Sequence, residues 1–167
     1  YKQYGLEQIG LNESSAPGPR YAALMQLLRT AETLWNSSRI LFDRWDLSPA
    51  QFNLLNLLVE AADGLTQSDL SRELLTHRSN ITGLVDRLER RGLVARRDQV
   101  GDRRAWRIVL TPAGRRLMTE ILPHYFRAAE QVWDGISVRQ AGEVGNVLKA
   151  IAVNTEAASA RIAGEVS

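Results

Sequence analysis

Between positions 20 and 45, apolar or small residues fall at 21, 24, 28, 31, 35, 38, 42 and 45, with no Gly or Pro between them. Alternate spacing of three and four predicts a helix with a single packing stripe. A second helix is expected to open at Ser48-Pro49-Ala50-Gln51. There Ser48 caps, Pro49 suits the first turn and Gln51 closes a capping box. Its apolar face is read as Phe52, Leu55, Leu58, Val59 and Ala62, and Asp63-Gly64 ends it. Thr66-Gln67-Ser68-Asp69 is a second capping box, opening a short helix through Leu74. A further helix from about Arg78 to Arg91 carries Ile81, Leu84, Val85 and Leu88 at i, i+3, i+4, i+7, and Gly92 is placed to terminate it.

The period then changes. Leu93-Val94-Ala95-Arg96 reads as a strand, residues 98–104 as a turn, and Ala105-Trp106-Arg107-Ile108-Val109-Leu110 as the return strand. Thr111-Pro112 starts another helix, with Leu117, Ile121, Leu122, Tyr125, Ala129 and Val132 on its apolar side and a kink expected at Pro123. Ser137-Val138-Arg139-Gln140 is one more capping box. The helix after it repeats the three-four alternation at Val144, Leu148, Ile151, Thr155, Ala158 and Ile162. A short helix, a turn, a helix and a two-stranded ribbon make a winged helix-turn-helix. The fold class is therefore mainly α with a small antiparallel β-ribbon, set between two long helical arms. The expected divisions are a tail over 1–19, an N-terminal helix over 20–47, the winged helix-turn-helix over 48–111, and C-terminal helices over 112–167. Glu13-Ser14-Ser15-Ala16-Pro17-Gly18-Pro19 breaks regular structure within the tail.

Composition removes several functions. With 44% hydrophobic residues in 167, a packed core is expected. Absence of cysteine excludes disulfides, thiol redox sensing and thiolate metal ligands. His77 and His124 are the only histidines, and neither has carboxylates at ligand spacing, so no metal and no cofactor are expected. No apolar run reaches the length of a membrane span and no signal peptide is visible, which fits a cytoplasmic protein. The sequence opens at Tyr1 rather than Met, so a few leading residues are expected to precede it. No Ser/His/Asp set, paired carboxylates or phosphate-cradling glycine loop points to an enzyme.

Charge is where the sequence becomes specific. The chain carries +2 overall, yet residues 78–107 hold nine arginines against Asp86, Glu89, Asp98 and Asp102, a local +5. A basic segment in an otherwise mildly acidic chain is the footprint of a polyanion-binding surface. With the apolar stripe at the back of the 78–91 helix, Ser79, Thr82, Gly83, Asp86 and Arg90 face outward, and Asn80 and Arg87 lie on the flank. Short uncharged side chains at the N-terminal half suit base edges in a major groove, and Gly83 removes bulk where backbones approach. Arg87, Arg90 and Arg91 in the second half suit flanking phosphates. A solvated face with an Asp86/Arg90 helical ion pair is the bland alternative. Arg96, Arg97, Arg103 and Arg104 load the hairpin, and arginines on such a wing suit the negative potential of a minor groove. Asp98 and Asp102 offset part of their mutual repulsion, and Asp102 is placed to pair with Arg104 across the turn.

At this point the sequence resembles the MarR family of winged-helix regulators. The family wing motif has the form Asp-x-Arg-x-x-x-Val-x-Leu-Thr. This chain has Asp102, Arg104, Leu110 and Thr111 in register, with Ile108 for the Val. The recognition-helix pattern is matched by RSNITGLVDRLERRGLV over 78–94, departing at Ile81. The resemblance spans roughly residues 20–162. It implies DNA contacts from Arg78, Ser79, Asn80, Thr82, Gly83, Arg87, Arg97, Arg103 and Arg104. One departure falls at Thr76-His77, where the family has an apolar residue and then Ser or Thr. Histidine is a poor cap, so Thr76 is a candidate N-cap and His77 a candidate phosphate contact.

The resemblance also implies a homodimer built from the first and last helices, with Tyr21, Leu24, Leu28, Leu148, Ile151 and Ile162 at the interface. Apolar stripes longer than one winged domain can cover agree with that, although the arms can also pack on each other within a monomer. A two-fold dimer calls for double-stranded DNA with a pseudo-palindromic operator. Relatives respond to small aromatic or phenolic acids, so Trp35, Arg39, Trp45, His124 and Phe126 are candidate ligand residues, against the plainer reading of tryptophans as packing. The expected function is a ligand-responsive DNA-binding transcriptional regulator, most simply a repressor. The competing reading is a winged-helix protein-interaction module without DNA-binding activity.

Overall fold

The computed structural model describes residues 18–74, 77–99 and 102–165, and the side chains of Arg78, Gln99 and residues 102–105 lie outside that description. In chain order the elements are α1 (Pro19–Asp43), α2 (Pro49–Glu60), β1 (Leu65–Thr66), α3 (Gln67–Glu73), α4 (Arg78–Arg90), β2 (Val94–Gln99), β3 (Asp102–Leu110), α5 (Pro112–Val132) and α6 (Val138–Glu165). Two compact units divide the chain, one ending at Met118 and the other starting at Thr119. The expected tail lies outside the described residues up to position 17.

Helices α2, α3 and α5 each begin where the sequence supplies a capping side chain. Ser48 Oγ accepts from the Gln51 amide at 3.2 Å, and the Ser48 amide donates to Gln51 Oε1 at 2.8 Å. The Thr66–Asp69 box repeats this, with amide contacts of 3.1 and 3.2 Å. Hydrogen bonds from Thr66 hold the Asp69 carboxyl below its ordinary pKa of 3.8, with Arg72 adding to the effect. Thr111 Oγ1 accepts from the Gly114 amide at 3.0 Å and so opens α5.

The core of this unit is built from the expected stripes. Phe52, Leu55 and Leu58 of α2 are buried, as are Ile81, Leu84, Val85 and Leu88 of α4. Three details differ. Leu54 is buried as well, Val59 is only half-buried, and Ala62 is exposed. The cause is an earlier helix end: Ala61 leaves the helical region (φ −92°, ψ 79°), so Ala62 falls in the turn beyond it. The Phe42 and Phe52 rings stack at 4.1 Å and fasten the end of α1 to α2.

The ribbon turns out to be a three-stranded antiparallel sheet in the order β1-β3-β2. Leu65 and Thr66 pair with Ile108 and Arg107. Two residues are too few to show a period, and Thr66 also serves as the α3 cap. Gly64, at φ +75°, leads into β1 so close to the Ile108 carbonyl that a side chain would collide with it. The strands also reach further into the expected turn. β2 continues to Gln99 and β3 begins at Asp102, with a register shift at Asp98/Gln99. Positions 100 and 101 lie outside the described residues.

In the second unit, Ser137 and Gln140 form the anticipated capping box, with amide contacts of 3.1 and 3.3 Å, and α6 follows. No residue of α6 is buried. The helix α5 is continuous through Pro123.

Candidate nucleic-acid interface

α4 has a buried back and a polar front. Ser79, Asn80, Thr82, Asp86, Arg87 and Arg90 are exposed, and Gly83 is half-buried with open space in front of it save for the Arg87 guanidinium. The Thr82 hydroxyl donates to Gln67 Oε1 at 3.3 Å, which ties the reading face of α4 to the start of α3. His77 occupies the N-cap position with extended backbone, and its ring supplies no cap hydrogen bond. It is exposed. Thr76, the alternative cap, lies outside the described residues.

The arginines separate into groups that composition alone does not distinguish. Arg91, first read as a phosphate contact, is held by the fold. Its Nη2 donates to the Trp45 carbonyl at 3.0 Å and its Nη1 to the Asp46 carbonyl, with the Asp46 carboxylate 3.7 Å away. Asp46 sits at φ 52°, and these carbonyls turn toward Arg91 where the chain reverses between α1 and α2. Arg107 donates to the Gly64 carbonyl at 2.6 Å, across the β1–β3 pair. Arg96 bridges the Asp86 and Glu89 carboxylates of α4, and its own amide donates to Glu89 Oε1 at 3.1 Å. Its pKa is raised, chiefly by the hydrogen bond to Asp86, with burial opposing. The expected Asp86/Arg90 ion pair is therefore replaced: the Asp86 carboxylate takes Arg96, while Arg90 Nε reaches only the Asp86 backbone carbonyl at 3.4 Å.

That bridge has an electrostatic consequence. The acids of α4 are neutralised from the wing side, and the wing is fastened to the recognition helix. Arg87 and Arg90 stay exposed beside α4, and Arg97 is exposed on β2. One residue on from Arg96, Arg97 lies on the opposite face of the sheet. Arg103 and Arg104 lie on β3, with side chains outside the described residues, as does that of Arg78. The Asp102–Arg104 pairing falls there too.

A crevice of about 780 Å³ opens between the end of α1, the start of α2 and the end of α4, lined among others by Trp35, Arg39, Asp43, Arg87, Arg90 and Arg91. A second, of about 610 Å³, shares Trp35, Ala50 and Arg87 and adds Asn53, Ser79 and Asn80. Two candidate ligand residues, Trp35 and Arg39, thus share a crevice with side chains of the recognition helix. Trp45 is not among the lining residues: the Arg44 guanidinium lies 5.2 Å from its ring and its carbonyl takes Arg91. His124 and Phe126 belong to the second unit, where Phe126 is exposed and its ring lies 6.1 Å from that of Tyr125. The α4 side of the crevice carries no signal in the sequence, because side chains of α1 and α4 brought to one crevice leave no periodic trace. Among the described residues no group of three or more His, Asp or Glu is placed to hold a metal, and no helix is long and apolar enough to cross a membrane.

A capped short helix, a polar-fronted second helix and a bracing hairpin define a winged helix-turn-helix protein of the DNA-reading class. Comparison with known proteins narrows this. The MarR family model matches residues 45–105. The chain is 32% identical over 110 residues to the HTH-type transcriptional regulator YsmB of Bacillus subtilis, covering 65% of this chain and 75% of that one. It is 27% identical over 131 residues to the transcriptional repressor MprA of Escherichia coli K12, covering 74% of each. The crystal structure of Sco3205 from Streptomyces coelicolor, a MarR family regulator in complex with DNA, superposes with a TM-score of 0.76 at 23% identity, over 84% of this chain and 94% of that one. At that identity the likeness shows the fold. The chain belongs to the MarR family of transcriptional regulators, and its relatives are regulators and repressors rather than enzymes.

Proposed function

We propose that two copies of this chain form a homodimer that binds a pseudo-palindromic DNA site and represses transcription, with affinity modulated by a small aromatic acid. The observation that carries the DNA-reading assignment is the front of α4. Ser79, Asn80 and Thr82 are exposed over a fully packed back, and the acids behind them are engaged by Arg96. Asn80 and its neighbours enter the major groove, Gly83 admits the backbone closely, and Arg87 and His77 meet phosphates. Arg97, Arg103 and Arg104, with Arg78, supply the remaining cationic contacts of wing and helix. Blocking a promoter needs no further chemistry than occupancy, and MprA, a relative, is named a repressor.

Dimerisation rests on the exposed apolar stripes. Tyr21, Leu24 and Leu28 of α1 are 46–54% exposed, and Leu148, Ile151 and Ile162 of α6 are 36–62% exposed. A second copy covers them. The effector enters the crevice beside Trp35, with Arg39 holding its carboxylate. A ligand there touches α1 and α4 together, so it favours one arrangement of reading head against arm. The test is a mobility shift on the protein's own promoter duplex. Asn80→Ala is expected to cost roughly 1–3 kcal/mol and to relax preference at one base position. Equal loss on every sequence assigns Asn80 to the backbone instead, and absence of any shift favours a protein-interaction module.

A further inference from the structure

Trp106 takes no part in the arginine contacts described above. It is 48% exposed, whereas Ile108, Val109 and Leu110 further along the same strand are at most 5% exposed. It stands on the wing, outside both arms, so the dimer stripes do not explain it.

The ladder fixes its side of the sheet. Arg96 pairs with Ile108 and Asp98 with Trp106, ahead of the register shift. Cross-strand partners, and residues two apart, share a face. Arg96 reaches from that face to Asp86 and Glu89 of α4. Trp106 therefore stands on the α4 side of the wing, one pair further toward the tip.

The geometry points to Trp106 as a DNA-contacting residue, its indole packed on the deoxyribose of the backbone segment that passes between recognition helix and wing. This rests on the DNA-binding reading above. A helix in the major groove and a wing in the adjacent minor groove straddle one run of backbone, and Trp106 borders the gap between them. The chemistry of the strip selects the sugar. Asp98 lies directly across from the indole and rejects a close phosphate, while Arg96 is already committed to α4. An aromatic face meets the C–H face of a sugar with no charge to satisfy, and its contribution is independent of base sequence.

The experiment titrates the protein's own promoter duplex, across a salt series, into wild type, W106F, W106A and, as a control, R87A. W106A is expected to weaken binding about tenfold on specific and random duplexes alike, with W106F recovering most of it. Because no charge changes, the salt slope stays at its wild-type value. In parallel, fluorine is placed on the rings of all four tryptophans, and the Trp106 resonance is assigned by its absence from W106F. Adding duplex is expected to shift that resonance and reduce its sensitivity to solvent, a readout that needs no destabilising variant. W106A binding as tightly as wild type while R87A weakens overturns the assignment and leaves DNA binding standing. A salt slope shallower by about one in W106A also overturns it, since the indole would then act by placing a cation. A Trp106 resonance unmoved by bound duplex does the same. Wild type failing to bind any duplex removes the DNA-binding reading, and this one with it.

Discussion

Helices α4 and α6 carry the same kind of apolar stripe and meet opposite fates. The stripe of α4, Ile81, Leu84, Val85 and Leu88, is at most 7% exposed. In that of α6, Val144, Leu148, Ile151 and Ile162 are between 36% and 62% exposed and Ala158 is half-buried. Periodicity states that a face is to be buried and is silent about what buries it. In α4 the partners come from the same chain, and the helix is fixed firmly enough to present Ser79, Asn80 and Thr82. In α6 no residue is buried among the described residues, and on the proposed reading a second copy completes it.

Ile81→Ala is expected to cost about 2–5 kcal/mol of unfolding free energy, because the side chain is fully buried and its truncation leaves a void. Chemical denaturation reads this directly. Ile151→Asp should leave the secondary structure of the winged unit intact by circular dichroism, yet shift sedimentation from dimer to monomer. An unaltered dimer would move the interface away from the centre of α6.

A smaller effect sharpens the α4 side. Arg96→Ala leaves Asp86 and Glu89 without the cation that now bridges them and frees the wing from the helix. The pair of contacts is partly exposed, so the loss of stability should be modest, about 1 kcal/mol. Operator affinity should fall by more than stability does, since two acids are released beside the phosphates. Arg96→Lys, with one point charge and no fork, should recover it only in part.

The smallest expected effect concerns the α3 cap. Thr66→Ala should cost about 1 kcal/mol at neutral pH. The Asp69 carboxyl is held below 3.8 in the folded state, chiefly by Thr66 hydrogen bonds. A depressed folded pKa contributes stability above the unfolded value, and that contribution is lost as pH falls through the folded value. The difference in melting temperature between wild type and Thr66→Ala should therefore be constant at neutral pH and shrink below about pH 4.

Much of this architecture was legible because the caps and stripes are local. Ser48–Gln51, Thr66–Asp69 and Ser137–Gln140 each announce a helix within four residues, and all three boxes form. What escaped is non-local. Strand β1 is two residues long and exists only through its pairing with Ile108 and Arg107. The roles of the arginines were likewise hidden. Arg91, Arg96 and Arg107 are indistinguishable in sequence from Arg87 and Arg97, yet their guanidinium groups are held by carbonyls and carboxylates that only folding brings near. Charge density marked the right surface, and tertiary contacts decided which cations stay available to a ligand. Trp106 was visible in the chain as a strand-former, but its exposure was not.

On the proposed reading, two symmetry-related copies of α4 occupy the major groove of adjacent half-sites. Dimethyl sulfate protection of the protein's own promoter tests it most directly, since the reagent reports on guanine N7 in that groove. Two clusters of protected guanines related by two-fold symmetry are expected, about 10 base pairs apart centre to centre, both lost with Ile151→Asp at concentrations that saturate the wild type. A single protected cluster that survives Ile151→Asp, or tight binding with no guanine protected, would contradict it.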